Sequence, residues 1–256
     1  MALPLHVIER LPTSLVRGAR AFSAANALPP GLPLGIEEFD RALPDGGLLR
    51  GGVVELSVAG GLAGATRIGL AACRAAQRDG RERGGETPWC AFVDPSGTLY
   101  APGVAEARVE LSRLLVVRPP LEALSRVSLR IVESRAFAVV VIDTVGVPGH
   151  PVHVSLGAWP RIVRRLATAV ADTSACVLLV TDASASRPLP LPVAQRIELS
   201  RPRPHELGLR VAKDKHGRVS SPRSITWARS GPRDLAKPVR DTEPWPRAVS
   251  HDVSSD

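Results

Sequence analysis

Thr66 and Asp143 stand where phosphate and metal chemistry would want a hydroxyl and a carboxylate. Thr66 follows a loop of small residues, AGGLAG (59–64), which comes straight after an apolar, β-branched run, VVELSV (53–58). Strand, glycine-rich turn and helix in that order aim backbone N–H groups and a helix N-terminus at a phosphate. Laid on G-x-x-x-x-G-K-[ST], Ala59 takes the first glycine's place, Gly64 the second's, Ala65 the lysine's and Thr66 the hydroxyl's, with Gly60 and Gly61 inside the loop. Asp143 closes FAVVVID (137–143), the plainest strand pattern in the chain. An acid there can hold Mg²⁺ through water, or it can cap the turn that follows.

The lysine of that motif supplies a point charge to the β- and γ-phosphates, and no neutral residue replaces it. No lysine precedes Lys213, so no shift of register restores one. Arg67 is the nearest cation, but it follows the hydroxyl residue and its planar fork reaches differently. Two readings stay open: weak binding of ATP and Mg²⁺ through the backbone and Thr66, and a relic loop that only turns the chain. The relic is the expectation.

The elements that must position these residues alternate. After the helix opened by Thr66 come expected buried strands at 89–94 and 114–117, a helix at 120–134, the 137–143 strand, a helix at 156–172 and a strand at 175–181. Continuous apolar strands alternating with helices predict a parallel sheet covered on both faces. From 193 the pattern changes to strands at 193–200, 207–212 and 223–229, an expected antiparallel extension of that sheet. Three units follow: an N-terminal arm or helix (1–30), one α/β core (31–229) and a proline-rich tail (230–256) without periodicity, expected to be disordered alone.

With 256 residues the chain can bury a sizeable core. No apolar run is long enough to span a membrane, and residues 1–20 hold too many charges and prolines for a signal peptide. Cys73, Cys90 and Cys176 are widely spaced, with no CxxC, and read as buried thiols of a reducing cytosol. His150 and His153 lack acids or thiols at ligand spacing, so no metal site is expected. The net charge of +8 is compatible with an anionic partner.

Taken in order, these stretches resemble the RecA-type ATPase core. GIEEFDRAL (35–43), a Gly-Gly turn, Arg50-Gly51 and VVEL (53–56) look like the approach to its P-loop, and the resemblance covers roughly residues 34–229. CAFVDPS (90–96) is similar to the strand that delivers a catalytic glutamate, whose place Ser96 takes. Residues 139–144 match the Walker B strand. Residues 175–182 resemble the strand ending in a γ-phosphate-sensing glutamine, whose place Asp182 takes. RVAKDK (210–215) looks like the two-lysine strand that reaches a neighbour's nucleotide, which makes Lys213 and Lys215 interface candidates.

The resemblance therefore implies a RecA-like P-loop-type core, with a mostly parallel sheet flanked by helices, that has lost phosphate lysine, water-activating glutamate and γ-phosphate sensor together. Hydrolysis needs all three functions, so no enzyme activity and no cofactor are expected. This profile is similar to the ImuA family of RecA-like or SulA-like accessory proteins in damage-induced mutagenesis. It implies as partners RecA, an ImuB-type inactive Y-family polymerase and an error-prone replicative-type polymerase, in the cytoplasm and at the nucleoid, with inhibition of recombination as a corollary. Residues 146–160 and 183–192 occupy the places of the family's DNA-binding loops; the second offers only Arg187 and no aromatic, so DNA contact is expected to be weak. Arg81/Arg83, Arg161/Arg164/Arg165 and Arg201/Arg203 could add salt-sensitive phosphate contacts. Trp245, between two prolines, is a candidate docking anchor. A SulA-like inhibitor of cell division and a DNA-dependent ATPase are the alternatives.

Overall fold

The computed structural model describes residues 31–58, 64–183, 190–203 and 205–227. The arm, Gly60, Gly61, Arg187 and the tail with Trp245 lie outside the described residues. The described chain builds one eight-stranded sheet from β1 (Gly52–Val58), β2 (Trp89–Val93), β3 (Leu114–Val117), β4 (Phe137–Asp143), β7 (Cys176–Asp182), β8 (Gln195–Ser200), β9 (Glu206–Asp214) and β10 (Arg223–Thr226). Its spatial order is β10-β9-β8-β1-β7-β4-β2-β3. A two-stranded ribbon, β5 (Gly146–Val147) and β6 (His150–Pro151), stands apart from it.

Both faces of the central strands are apolar because both are covered. On one face Val54, Leu56, Val58, Val139 and Val141 pack with α2 (Gly64–Glu82), Phe39 of α1 (Glu37–Ala42) and Val104 of α3 (Ala101–Glu106). On the other, Val53, Val140, Ile142, Val177 and Leu179 pack with α4 (Leu124–Glu133) and α5 (Trp159–Val170). The period-two alternation of a strand then puts a hydrophobe at every position, which is why β4 reads as an unbroken run. Within α2, Gly69 is a packing choice: a Cβ there would lie 3.1 Å from Val141 and 3.3 Å from Phe92, so the helix rests directly on β4 and β2.

Two strands depart from expectation. β8 runs parallel to β1 and pairs antiparallel with β9, which pairs antiparallel with β10, so β9 alone runs against the other strands of the sheet. The reason lies in the return segment, whose Leu191 and Val193 are buried beside Val53, Val163 and Leu166. That packing carries the chain back along the α5 face before β8 begins. β3 is not a core strand: it pairs only with β2, at the sheet edge, and Leu115 and Val116 are each 38% exposed.

The second sheet face turns polar toward β8. Glu55, in the middle of β1, is 3% exposed and accepts hydrogen bonds from Thr181 Oγ1 (2.8 Å) and Arg196 Nε (2.7 Å). A buried charge on a central strand is tolerable only with such partners. A second charged cluster fastens the C-terminal strands: Arg218 grips Asp45 with two nitrogens (2.6 and 2.9 Å) and Asp214 with two (3.0 and 3.1 Å). The three cysteines are free and buried, and no described helix is long and apolar enough to cross a membrane.

Candidate functional site

A cleft of about 770 Å³ opens at the C-terminal ends of the parallel strands, where ligands bind in open α/β sheets. One wall is the first turns of α2, with Gly64, Thr66, Arg67 and Leu70. Asp94 and Asp143 come from the ends of β2 and β4. Tyr100 and the α3 residues Gly103, Val104 and Glu106 form the opposite wall, and Arg201, His205 and Trp227 close the side nearest β9 and β10. The helix starts at Gly64, two residues before the expected Thr66. Ala65, at the lysine's place, is buried.

Asp143 is committed to its own turn. One carboxylate oxygen accepts from the amides of Val145 and Gly146, both at 2.9 Å. Burial pushes its pKa above the ordinary carboxylate value, the two amides oppose that, and the charge of Asp94 adds to it. Asp94 is likewise engaged: its Oδ1 accepts from Ser96 Oγ at 2.5 Å, and its Oδ2 from the amide of Leu99 at 2.8 Å. Ser96 in turn lies 2.7 Å from Thr98 Oγ1. The residue at the glutamate's place thus ties a loop together, and a hydroxyl cannot serve as general base there.

Other predicted residues are elsewhere. Asp182, exposed at the end of β7, lines a second, smaller cavity with Glu55, Ser57, Arg196 and Arg210, not the cleft that holds Thr66, Asp94 and Asp143. Lys213 is exposed and donates to the carbonyl of Leu191 at 3.2 Å; Lys215 is exposed in the turn after β9. His150 and His153 are exposed, and among the described residues no group of His, Cys, Asp or Glu could hold a metal.

The cleft's most intimate contact went unnoticed in the sequence. The Arg67 guanidinium lies 4.6 Å from the ring centroid of Trp227, which is 5% exposed and anchored by its amide to the carbonyl of His205 at 2.7 Å. A tryptophan one residue past the last strand was the available signal. Such a contact holds the cation nearest the motif over an aromatic ring. Tyr100, the chain's one tyrosine, is 69% exposed at the cleft rim.

The volume is that of a nucleotide-sized pocket, typically about 300–1,000 Å³. The polar groups do not fit a nucleoside triphosphate with Mg²⁺: alanine replaces the phosphate lysine, and both acids are hydrogen-bonded into their own loops. No catalytic step follows from these residues.

No family model matches the sequence, and no curated protein matches it. Among solved structures, the crystal structure of the RadB recombinase is similar, with a TM-score of 0.56 at 17% identity, over 76% of this chain and 95% of that one. The likeness is one of fold: a mostly parallel sheet between helices, with antiparallel strands at its C-terminal side, is a RecA-like core.

Proposed function

We propose that this chain is a non-catalytic RecA-like accessory protein in damage-induced translesion DNA synthesis. It binds RecA and modulates it, and bridges it to an ImuB-type inactive Y-family polymerase and an error-prone replicative-type polymerase in the cytoplasm, at the nucleoid. The observation that carries this reading is the cleft, which opens at the strand ends of a RecA-like sheet while Ala65, Ser96 and the self-bonded Asp143 stand at the positions hydrolysis would use. The edge at β3 supports a binding role. Of the seven large hydrophobic side chains exposed among the described residues, five, Trp89, Leu111, Leu115, Val116 and Leu121, lie on or next to β2 and β3, while Tyr100 is at the cleft rim and Val219 follows β9. An unpaired strand edge with apolar neighbours is a docking platform for another chain.

Affinity capture of the tagged chain from DNA-damaged cells, followed by reconstitution with purified RecA, tests the reading. Recovery of RecA with the inactive polymerase, and slowed strand exchange at stoichiometric amounts of the chain, are expected. Recovery of the tubulin-like division protein instead would move the chain to the SulA-like reading. Phosphate release stimulated by single-stranded DNA would make it an ATPase.

A further inference from the structure

A row of arginines on α2 has no place in the accessory reading above. Arg67, Arg74 and Arg78 stand at i, i+7 and i+11, so they fall within about 40° of each other around the helix and span about 16 Å of its axis. The row begins at the cleft, where Arg67 lines the α2 wall that faces α3. Across the cleft, Arg108, one residue beyond Ala107 of the α3 wall and held at a left-handed φ of 58°, is an exposed fourth guanidinium.

These cations are crowded. A Cβ on Gly35 would stand 3.6 Å from a guanidinium nitrogen of both Arg74 and Arg78, so the two forks are neighbours. Half-buried Arg74 has no carboxylate within ion-pair distance among the described residues and donates to the carbonyl of Leu34 at 3.0 Å. Burial, then the charges of Arg78, Arg108 and Arg67, push its guanidinium below the ordinary arginine value. Acids offset part of this charge at the two ends of the row: Glu82 pairs with Arg78 at 3.6 Å, the Asp40 carboxylate, bonded to the amides of Leu34, Gly35 and Ile36, also feels Arg78, and Asp94, Asp143 and Glu106 line the cleft with Arg67. Arg74 and Arg108, in the middle, have no ion pair among the described residues. Cations held together in a groove raise the local concentration of an anion.

Tyr100 decides the class of anion. An exposed ring at the head of a cationic row is the arrangement that holds a single strand, with phosphates on the cations and a base stacked on the ring. We propose that the α2–α3 groove binds a single strand of nucleic acid, its phosphates along Arg67, Arg74, Arg78 and Arg108 and a base on Tyr100. This site is separate from residues 146–160 and 183–192, and it stands whether or not the accessory reading does.

The test is fluorescence anisotropy of a labelled oligodeoxythymidine with the full chain, across a salt series. The unaltered chain should bind. Arg74→Glu combined with Arg108→Glu should weaken binding at least about tenfold and flatten the dependence of log K on log salt by about 1.4, the share of two lost phosphate contacts. Arg108→Glu alone, at an exposed position, should weaken binding about threefold with an unchanged circular dichroism melt, so lost folding cannot explain the effect. Tyr100→Ala should cost about fivefold or more with no change of salt slope. Arg126→Glu with Arg130→Glu, both exposed on α4, should bind as the unaltered chain does. No binding by the unaltered chain, or arginine variants that bind as well as it does, overturns the proposal. Displacement of the strand by polyglutamate, with Tyr100→Ala silent, overturns it in favour of an acidic peptide.

Discussion

Arg196 Nε lies 2.7 Å from Glu55 Oε2 in the middle of the sheet, with the two side chains 12% and 4% exposed. The pair joins neighbouring parallel strands, β1 and β8, and Thr181 on β7 completes it from the other side. Removing the guanidinium leaves the buried Glu55 carboxylate with Thr181 alone, so Arg196→Ala should cost about 3–5 kcal/mol in denaturant unfolding. Glu55→Ala combined with Arg196→Ala should cost less than the sum of the single changes. Strict additivity in that cycle would show the pair uncoupled.

Asp143 should behave as a cap rather than a metal ligand. Its folded pKa is raised, so the folded state holds the proton more tightly than the unfolded one. Its contribution therefore favours folding below its unfolded pKa and weakens as pH rises through the folded value. Asp143→Asn keeps an oxygen for the amides of Val145 and Gly146 and carries no charge. The variant should melt at or above the temperature of the unaltered chain at pH 7, and the difference should vanish in acid. A marked loss of melting temperature at pH 7 would count against this account.

Asp214 has the opposite sign. Burial alone would raise its pKa, but hydrogen bonds from Arg218 and the amide of His216 bring it below the ordinary value. Its stabilisation is present above the unfolded carboxylate pKa, about 3.9, and is lost as pH falls through the lower folded value. Arg218→Met should cost about 1 kcal/mol at pH 7, solvent screening of the half-exposed guanidinium having reduced it, and much less near pH 2. Urea melts at the two pH values compare these directly.

Gly69→Val should destabilise by about 1–3 kcal/mol, because the added atoms meet Val141 and Phe92 under α2. The lifted helix carries Thr66 and Arg67 with it. The fluorescence of Trp227, packed on Arg67, should report that movement in a protein that still folds.

Much of the fold was legible because burial on both sides leaves a plain mark: VVELSV and FAVVVID could only be central strands. LLVV at 114–117 carries the same mark and is an edge, since four β-branched or aliphatic residues do not say how many neighbours a strand has. The direction of β8 was hidden because it is set by where Leu191 and Val193 pack, a tertiary matter. At the site, Thr66 and Asp143 were visible through their position after strands. Trp227 and His205 were not, and Arg201 was visible only as one of several arginine groups, because they reach the cleft from the C-terminal strands and no spacing links them to Thr66. The arginine row was in plain view at i, i+7 and i+11, yet its meaning needed Arg108 and Tyr100 from another element.

The strand order also has a cost in time. β1 is the centre of the sheet, but 126 positions separate Glu55 from Thr181 and 141 separate it from Arg196. During synthesis β1 and α2 emerge long before either neighbour of β1 exists, so an apolar strand waits, unpaired on both edges. Such non-local pairing folds slowly and exposes the growing chain to association. Deleting β8 to β10 should therefore leave β1 open on the side that β8 covers, an aggregating species rather than a smaller folded core.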